Sequence, residues 1–508
     1  MNVKEYKSKV RGCWLGKNIG GSLGAPFECK RGVFNVEYYT HDFTKGVLPN
    51  DDLDLQLVWL NAAENYGKAL NAAVLAEYWL SYVTAEWSEY GAGKTNLASG
   101  LLPPISGSFS NHNKDSCGCF IRSEIWACLA PGNPDITVKY AYEDAIVDHG
   151  GEGVYAEIFC AALQSAAFAE SDTQNLIDIG LSYIPDGCDT ALAVKTAVEC
   201  YKTGLDWKAA RKKVLQTVPG AFGMNTGYED REPEPDVPVG ELGYDAPSNI
   251  GLMIVGWLYG EGDFGKSICI AASCGEDADC TAATLGSILG IICGAENIPQ
   301  KWLEPIGDEI KTLTVNLTDW TISIPGTVTE LCERVCALMP VYMGGMCDTM
   351  NENGVQIKFQ NNLYCQKYSK GVFARRDFKD TMIFDGVKTG SAIFDVTVRY
   401  TDGIYVENGA VKKMVLNFEN KINKQQCLKV KWHMPPEWTV SPSCESMVIL
   451  DQRHGGTSLK TAEYTITAGE IDTAVCELIL EIKSNGRPST MFVPITFFAG
   501  EEKKDEKH

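Results

Sequence analysis

Two short acidic clusters, Asn50-Asp51-Asp52-Leu53-Asp54 and Asp277-Ala278-Asp279-Cys280-Thr281, lie more than two hundred residues apart, and each runs directly into an apolar stretch with helical spacing. Carboxylates this dense repel one another, and near buried helix ends they need a cation to neutralise them. The chemistry implied is a metal site assembled from two halves of the chain. Capping explains part of the pattern without a metal, because Asp at a helix start satisfies free amides and complements the helix dipole. Asp54 reads equally as a solvated first-turn acid. The second cluster is harder to explain by capping. It precedes a small-residue helix in which Gly286, Gly290 and Gly294 recur every four residues, a smooth face against which another helix can lie closely. Such packing carries Asp277 and Asp279 deep into a bundle, where buried acids require a partner.

The elements that position these clusters change character along the chain. Segments 53–66, 71–83, 154–169, 191–203, 267–273, 282–294 and 328–338 carry Ala, Leu, Ile and Val at helical spacing. The first part therefore reads as one many-helix domain, residues 1–343. From about Gly354 the pattern alternates with period two, in runs 355–359, 394–400, 413–418, 427–433, 446–450, 463–467, 476–482 and 490–498, with turn signals such as Asp402-Gly403 and Asn485-Gly486 between many of them. Eight short strands at this spacing predict an immunoglobulin-like β-sandwich over residues 354–500. The fold class is thus multidomain, all-α followed by all-β, with a charged tail at 501–508. Two long stretches, Gly91–Gly118 and Gly220–Asn249, read as loops; the first is the better candidate to cover a site, and the second holds the acidic run Tyr228–Pro235.

Composition bounds the function. Of the 508 residues, 45% are hydrophobic and 22% charged, and no apolar run is long enough to span a bilayer. The formal charge of −21 argues against surface binding to nucleic acid or an anionic membrane, both of which select for a basic face. Any phosphate must be held locally, by a metal or by amides at a helix start. The charged first residues lead into no signal-like segment, and the 19 cysteines are scattered and odd in number, so we expect reduced thiols in a cytoplasmic protein. The pairs Cys117/Cys119 and Cys332/Cys336 have no second pair at structural-zinc spacing.

His149 precedes Gly150-Gly151-Glu152-Gly153 and a helical segment. An imidazole and free amides at such a start, Gly151 and Gly153 included, can cradle a pyrophosphate. Glycine there also lets two helices meet around a buried histidine.

Four pieces together carry a family resemblance: Arg11-Gly12-Cys13-Trp14-Leu15-Gly16 with Gly24-Ala25-Pro26-Phe27-Glu28, then Asn50-Asp51-Asp52, then Asp148-His149 before Gly153-Val154-Tyr155, and last Asp277-Ala278-Asp279-Cys280. Over roughly residues 5–340 the chain resembles the ADP-ribosylglycohydrolases, the family of the dinitrogenase-reductase-activating glycohydrolase. The resemblance implies an all-α domain that holds two Mg²⁺ or Mn²⁺ ions. Carried over by position, Asp51, Asp52, Asp277 and Asp279 are ligands, joined by Asn50 and by Cys280 or Thr281. Asn50 stands where relatives have Thr, and Cys280 where they have Thr or Ser; a thiol is a poor partner for Mg²⁺. Glu28 becomes the general acid/base, with Asp52 and Asp277 catalytic beside it. Ser116 and Gly118, in Ser116–Arg122, match a second phosphate-facing loop next to His149.

The activity implied is metal-assisted hydrolysis of a ribosyl C1″ N- or O-glycosidic bond, on an ADP-ribosylated protein or a small ADP-ribosyl compound. Two other readings share these residues. One is a metal-dependent glycosidase or nucleoside hydrolase acting on a simpler sugar, suggested by the added sandwich; the other is a non-catalytic ADP-ribose-binding relative, suggested by Cys280. Trp432 and Trp438 read as sandwich core.

Overall fold

The computed structural model describes residues 1–221, 234–317, 322–351, 354–365, 387–390, 393–422, 424–452, 458–487 and 490–500. Most of the acidic run 228–235 and the whole of the 501–508 tail lie outside them. The chain divides into two compact units, Met1–Arg375 and Arg376–His508. Among the described residues the first holds sixteen α-helices, and none is long and apolar enough to cross a membrane.

The first helix, Val3–Gly24, starts where Asn2 Oδ1 accepts the Glu5 amide at 2.9 Å. It packs against the Ala278–Cys293 helix, and glycines on both sides make the contact possible. A Cβ built on Gly12 would fall 2.2 Å from the Gly290 carbonyl oxygen; on Gly16, 2.0 Å from that of Gly286; on Gly20, 2.0 Å from Ala282; on Gly24, 2.3 Å from Ala278. The two helices therefore run antiparallel with their backbones nearly touching, and their register places the chain after Gly24 beside the residues before Ala278. That register sets Glu28 opposite Asp277. Gly294, expected on the same face, instead follows the helix at φ +77° as its C-cap. We expect Gly286→Ala to cost about 1–3 kcal/mol, because the added methyl forces two backbones apart; an unchanged thermal midpoint would contradict this packing.

Part of the stretch expected as a covering loop is helical, over Ser88–Ala98 and Ile105–Ser108. Gly91 and Gly107 are sites of close backbone approach, since a Cβ on Gly91 would strike the Glu86 carbonyl at 2.1 Å and one on Gly107 the His149 carbonyl at 2.2 Å. The 355–359 run, read as the first sandwich strand, contributes Gly354–Ile357 to a hairpin with Cys347–Asn351 within the first unit. There Ile357 exchanges backbone bonds with Met1 at 2.9 and 3.1 Å, which holds it at the start of the first helix.

The second unit contains two five-stranded sheets, and it includes the other seven expected strands plus Val387–Gly390, Tyr405–Val406 and Thr439–Ser441. Burial alternates along the strands, as in Phe394–Tyr400, so each sheet has one apolar face. Trp432 meets Tyr464 of the other sheet with ring centres 5.3 Å apart, so the indole is core as expected.

Candidate active site

Asp51 and Asp52 open the helix Asp51–Tyr66, with Asn50 as its N-cap, and Asp279 lies in the first turn of Ala278–Cys293. The two starts converge. Single donor atoms of Glu28, Asp277 and Asp279 lie within 4.8 Å of one another, and so do those of Asp52, Asp279 and Cys280. Asp279 belongs to both groups. The Cys280 thiol donates to Asp52 Oδ1 at 3.3 Å. Asn50 makes no cap bond; its amide donates to Asn18 Oδ1 at 3.2 Å, over the bare face of Gly21. Thr281 is fully buried and its hydroxyl donates to the Ala278 carbonyl at 3.1 Å, a back-bond that accounts for it within the helix. Asp54 is not a solvated acid: it is buried, and its Oδ2 accepts the amides of Leu313 and Thr314 at 2.7 and 2.6 Å.

The donor set suits hard divalent cations. Asp52 Oδ2, Asp277 Oδ1 and Asp279 Oδ1 are buried without a hydrogen-bond partner, an arrangement that costs free energy unless a cation satisfies it. Lys17, fully buried, sends its ammonium to 3.8 Å from Asp52 Oδ2, but it also pairs with Glu124 at 3.1 Å. Sequence reasoning missed Lys17, since nothing local marks a helical lysine as buried. Glu28 is exposed as a residue, but its carboxyl lies among the acids, and the protein packed around that group, then Asp277, Asp51 and Asp52, pushes it up to about 8. Burial also pushes Asp52 up to about 7, against the pull of Lys17. Asp277 and Asp279 are raised well above the usual range, by burial and then by their acidic neighbours.

These raised values fix a sign. The folded, metal-free chain binds more protons than the unfolded one, so this contribution to stability is complete below the ordinary carboxylate value and is lost as the pH climbs through about 7 and about 8. Chelator-treated protein should melt at lower temperature at pH ~8 than at pH ~5, and Mg²⁺ or Mn²⁺ should raise the midpoint most at the upper end. A flat profile, with or without metal, would contradict the cluster's electrostatics.

A clamp behind the acids holds the two halves together. Lys30 and Arg31 pair antiparallel with Glu276 and Gly275, and the Cys29 amide donates to the Glu276 carbonyl at 2.8 Å. Arg31 grips Glu276 in a buried two-point ion pair at 2.7 and 2.9 Å. Cys29 and Glu276, the residues adjoining Glu28 and Asp277, both adopt left-handed backbone, at φ +58° and +61°. Each costs on the order of 1–3 kcal/mol, a strain the ion pair and bridge offset.

His149 is brought beside this cluster through the turn that starts at Ser116. Its Nε2 lies 3.3 Å from Ser116 Oγ and 3.8 Å from Glu89 Oε1, and its Nδ1 lies 3.1 Å from Asp148 Oδ1. Cys117, the next residue, lies near Asp277, and its thiol draws that carboxyl down against the larger effect of burial. A Cβ on Gly118 would strike Glu89 Oε1 at 2.0 Å, which explains that glycine. Buried Glu89 had no signal in the sequence. Several amides after His149 are engaged within the chain: that of Gly150 donates to the Lys114 carbonyl at 3.0 Å, that of Glu152 to Asp115 Oδ1 at 2.7 Å, and those of Gly153 and Val154 to the Gly150 carbonyl. Gly151 (φ +47°) and Gly153 are explained by crowding instead, the first by Asp115, the second by the Lys114 carbonyl and the His149 ring.

A 44-residue stretch, 9% of this chain, is 46% identical to ADP-ribosylarginine hydrolase Tri1 of Serratia proteamaculans (strain 568) and spans 12% of that protein's length. Among solved structures, a FixG-related protein from Vibrio parahaemolyticus is 8% identical over 22% of this chain and 98% of its own, with a TM-score of 0.18. The family model for ADP-ribosylglycohydrolase matches residues 2–336, two-thirds of the sequence and every element that carries the acid cluster. On that match the chain belongs to the ADP-ribosylglycohydrolase family.

Proposed function

We propose that the chain is a divalent-cation-dependent hydrolase that cleaves the ribosyl C1″ N- or O-glycosidic bond of an ADP-ribosylated protein or small molecule and releases ADP-ribose. The observation that carries this reading is the convergence of two helix starts on buried carboxylate oxygens without partners, with Glu28 beside them. Asp51, Asp52, Asp277 and Asp279, with Asn50 and Cys280 at their margins, would hold two ions, Mg²⁺ or Mn²⁺ at the all-oxygen positions. Such ions, when bound, supply Lewis-acid polarisation and an oriented water. Glu28 takes the proton of the water that attacks C1″, and the surrounding acids stabilise positive charge as it develops on the sugar. His149, Ser116 and Gly118 form the substrate-facing wall beside Cys117. A cytoplasmic setting fits nineteen free thiols, of which Cys444 alone is exposed.

Glu28→Gln should lower turnover by roughly 10²–10⁴-fold while leaving the fold intact, because it removes proton transfer and little packing. The test compares arginine-, serine- and phosphate-linked ADP-ribose with simple ribosides and nucleosides. Release confined to the ADP-ribosyl substrates supports the proposal; turnover of the simple ribosides alone, or of nothing by metal-loaded protein, would replace it with a simpler glycosidase or a binding protein.

A further inference from the structure

The two donor groups that share Asp279 are chemically unlike. Glu28, Asp277 and Asp279 offer oxygen alone, whereas Asp52, Asp279 and Cys280 include sulfur. Building on the divalent-cation reading above, we propose that Cys280 is a thiolate ligand and that the Asp52–Asp279–Cys280 position takes a thiol-tolerant ion, such as Zn²⁺, Fe²⁺ or Co²⁺, beside a Mg²⁺ or Mn²⁺ in the oxygen-only position.

Three observations carry this. The Cys280 sulfur is placed on the acids, 3.3 Å from Asp52 Oδ1, and only 8% of the residue is exposed. Asp52 Oδ2 and Asp279 Oδ1, both in buried residues, have no hydrogen-bond partner, and the Lys17 ammonium reaches the first only at 3.8 Å, so two oxygens short of partners accompany the sulfur. The donor count matters as well. Mg²⁺ demands a near-octahedral shell of oxygens, which a position containing sulfur does not supply. Zinc and its neighbours accept sulfur with carboxylate oxygen, and three protein ligands leave a fourth place open, as in catalytic rather than structural zinc sites. On binding, the Cys280 S–H bond breaks, its proton leaves to solvent, and the sulfur electron pair forms the bond to the ion; nothing is oxidised or reduced. The Cys117 thiol is the natural rival: it lies near Asp277 and accepts from Asn249 Nδ2 at 3.4 Å, but belongs to neither donor group.

The experiment adds Co²⁺ to metal-depleted full-length protein up to two equivalents and follows the near-ultraviolet thiolate-to-cobalt charge-transfer band, with bound metal counted by elemental analysis. The band should appear in the wild type, persist in Cys117→Ser and disappear in Cys280→Ser while cobalt still binds. X-ray absorption of zinc-loaded wild type, which needs no variant, should show a sulfur neighbour at about 2.3 Å. Two bound ions without the band or the sulfur shell would overturn this inference and leave the two-cation reading standing, as would a band lost in Cys117→Ser but not in Cys280→Ser. Absence of any bound ion would overturn both.

Discussion

Asp279→Ala is expected to abolish ADP-ribose release and, in the same protein, to raise the melting temperature of the metal-free form. Asp279 is the residue common to both donor groups, so its loss removes a ligand from each position, and bound divalent metal should fall from two ions toward none. Removing one preorganised charged group at a reacting centre typically costs 10²–10³ in turnover; here, with both positions affected, we expect a loss of roughly 10³-fold or more. The stability effect has the opposite sign. Without metal, Asp279 is a buried acid whose neighbours Glu28, Asp52 and Asp51 all disfavour its charge, so alanine relieves repulsion and desolvation. A side chain held for function at a cost in stability behaves in this way. One with a structural role would lower the melting temperature, and that result, measured by calorimetry in chelator, would contradict the assignment.

Arg122→Met should cost about 3–5 kcal/mol, because it leaves buried acids without their counter-ion. The guanidinium is fully buried and reaches Asp144 Oδ1 at 2.9 Å, Asp148 Oδ2 at 3.1 Å and the Gly118 carbonyl at 2.9 Å, over the face of Trp79. Glu157 lies beside the same group, its carboxyl raised well above the ordinary range by burial and then by Asp144. Removing the cation therefore strands Asp144 and Asp148 together. Because Asp148 carries His149 and Gly118 follows Cys117, the wall of the site should loosen as stability falls. Lysine should rescue little, since one ammonium cannot span two carboxylates and a carbonyl. Denaturant unfolding is the measurement, and a loss below about 1 kcal/mol would mean that the cluster tolerates the vacancy.

What the sequence disclosed and what it hid divide along physical lines. Acids at helix starts are local features, so Asp51, Asp52, Asp277 and Asp279 were legible from their own neighbourhoods, and the period-two strands of the second unit were legible for the same reason. The glycine ladder was half legible. Gly286 and Gly290 announced a close contact, but Gly12, Gly16, Gly20 and Gly24 on the partner helix lower helix propensity and look like punctuation until the partner is known. A four-residue repeat likewise cannot separate the last glycine inside a helix from one just past its end, and Gly294 is the latter. Lys17, Glu89, Arg122 and the Arg31–Glu276 clamp were hidden because each charge is buried by a partner distant in sequence. His149 lies against Ser116, Glu89 and Asp148, and the amides of Gly150, Glu152, Gly153 and Val154 after it serve the chain itself.

The most direct measurement is free ADP-ribose released from an ADP-ribosylated arginine, serine or phosphate-linked substrate by the full chain, with Mg²⁺ or Mn²⁺ present and again after chelation. Release that needs the metal, returns when metal is restored and is absent in Asp277→Ala is the predicted result. Release that survives chelation and the Asp277→Ala change, or no release from any of these substrates by protein shown to hold its ions, would contradict it.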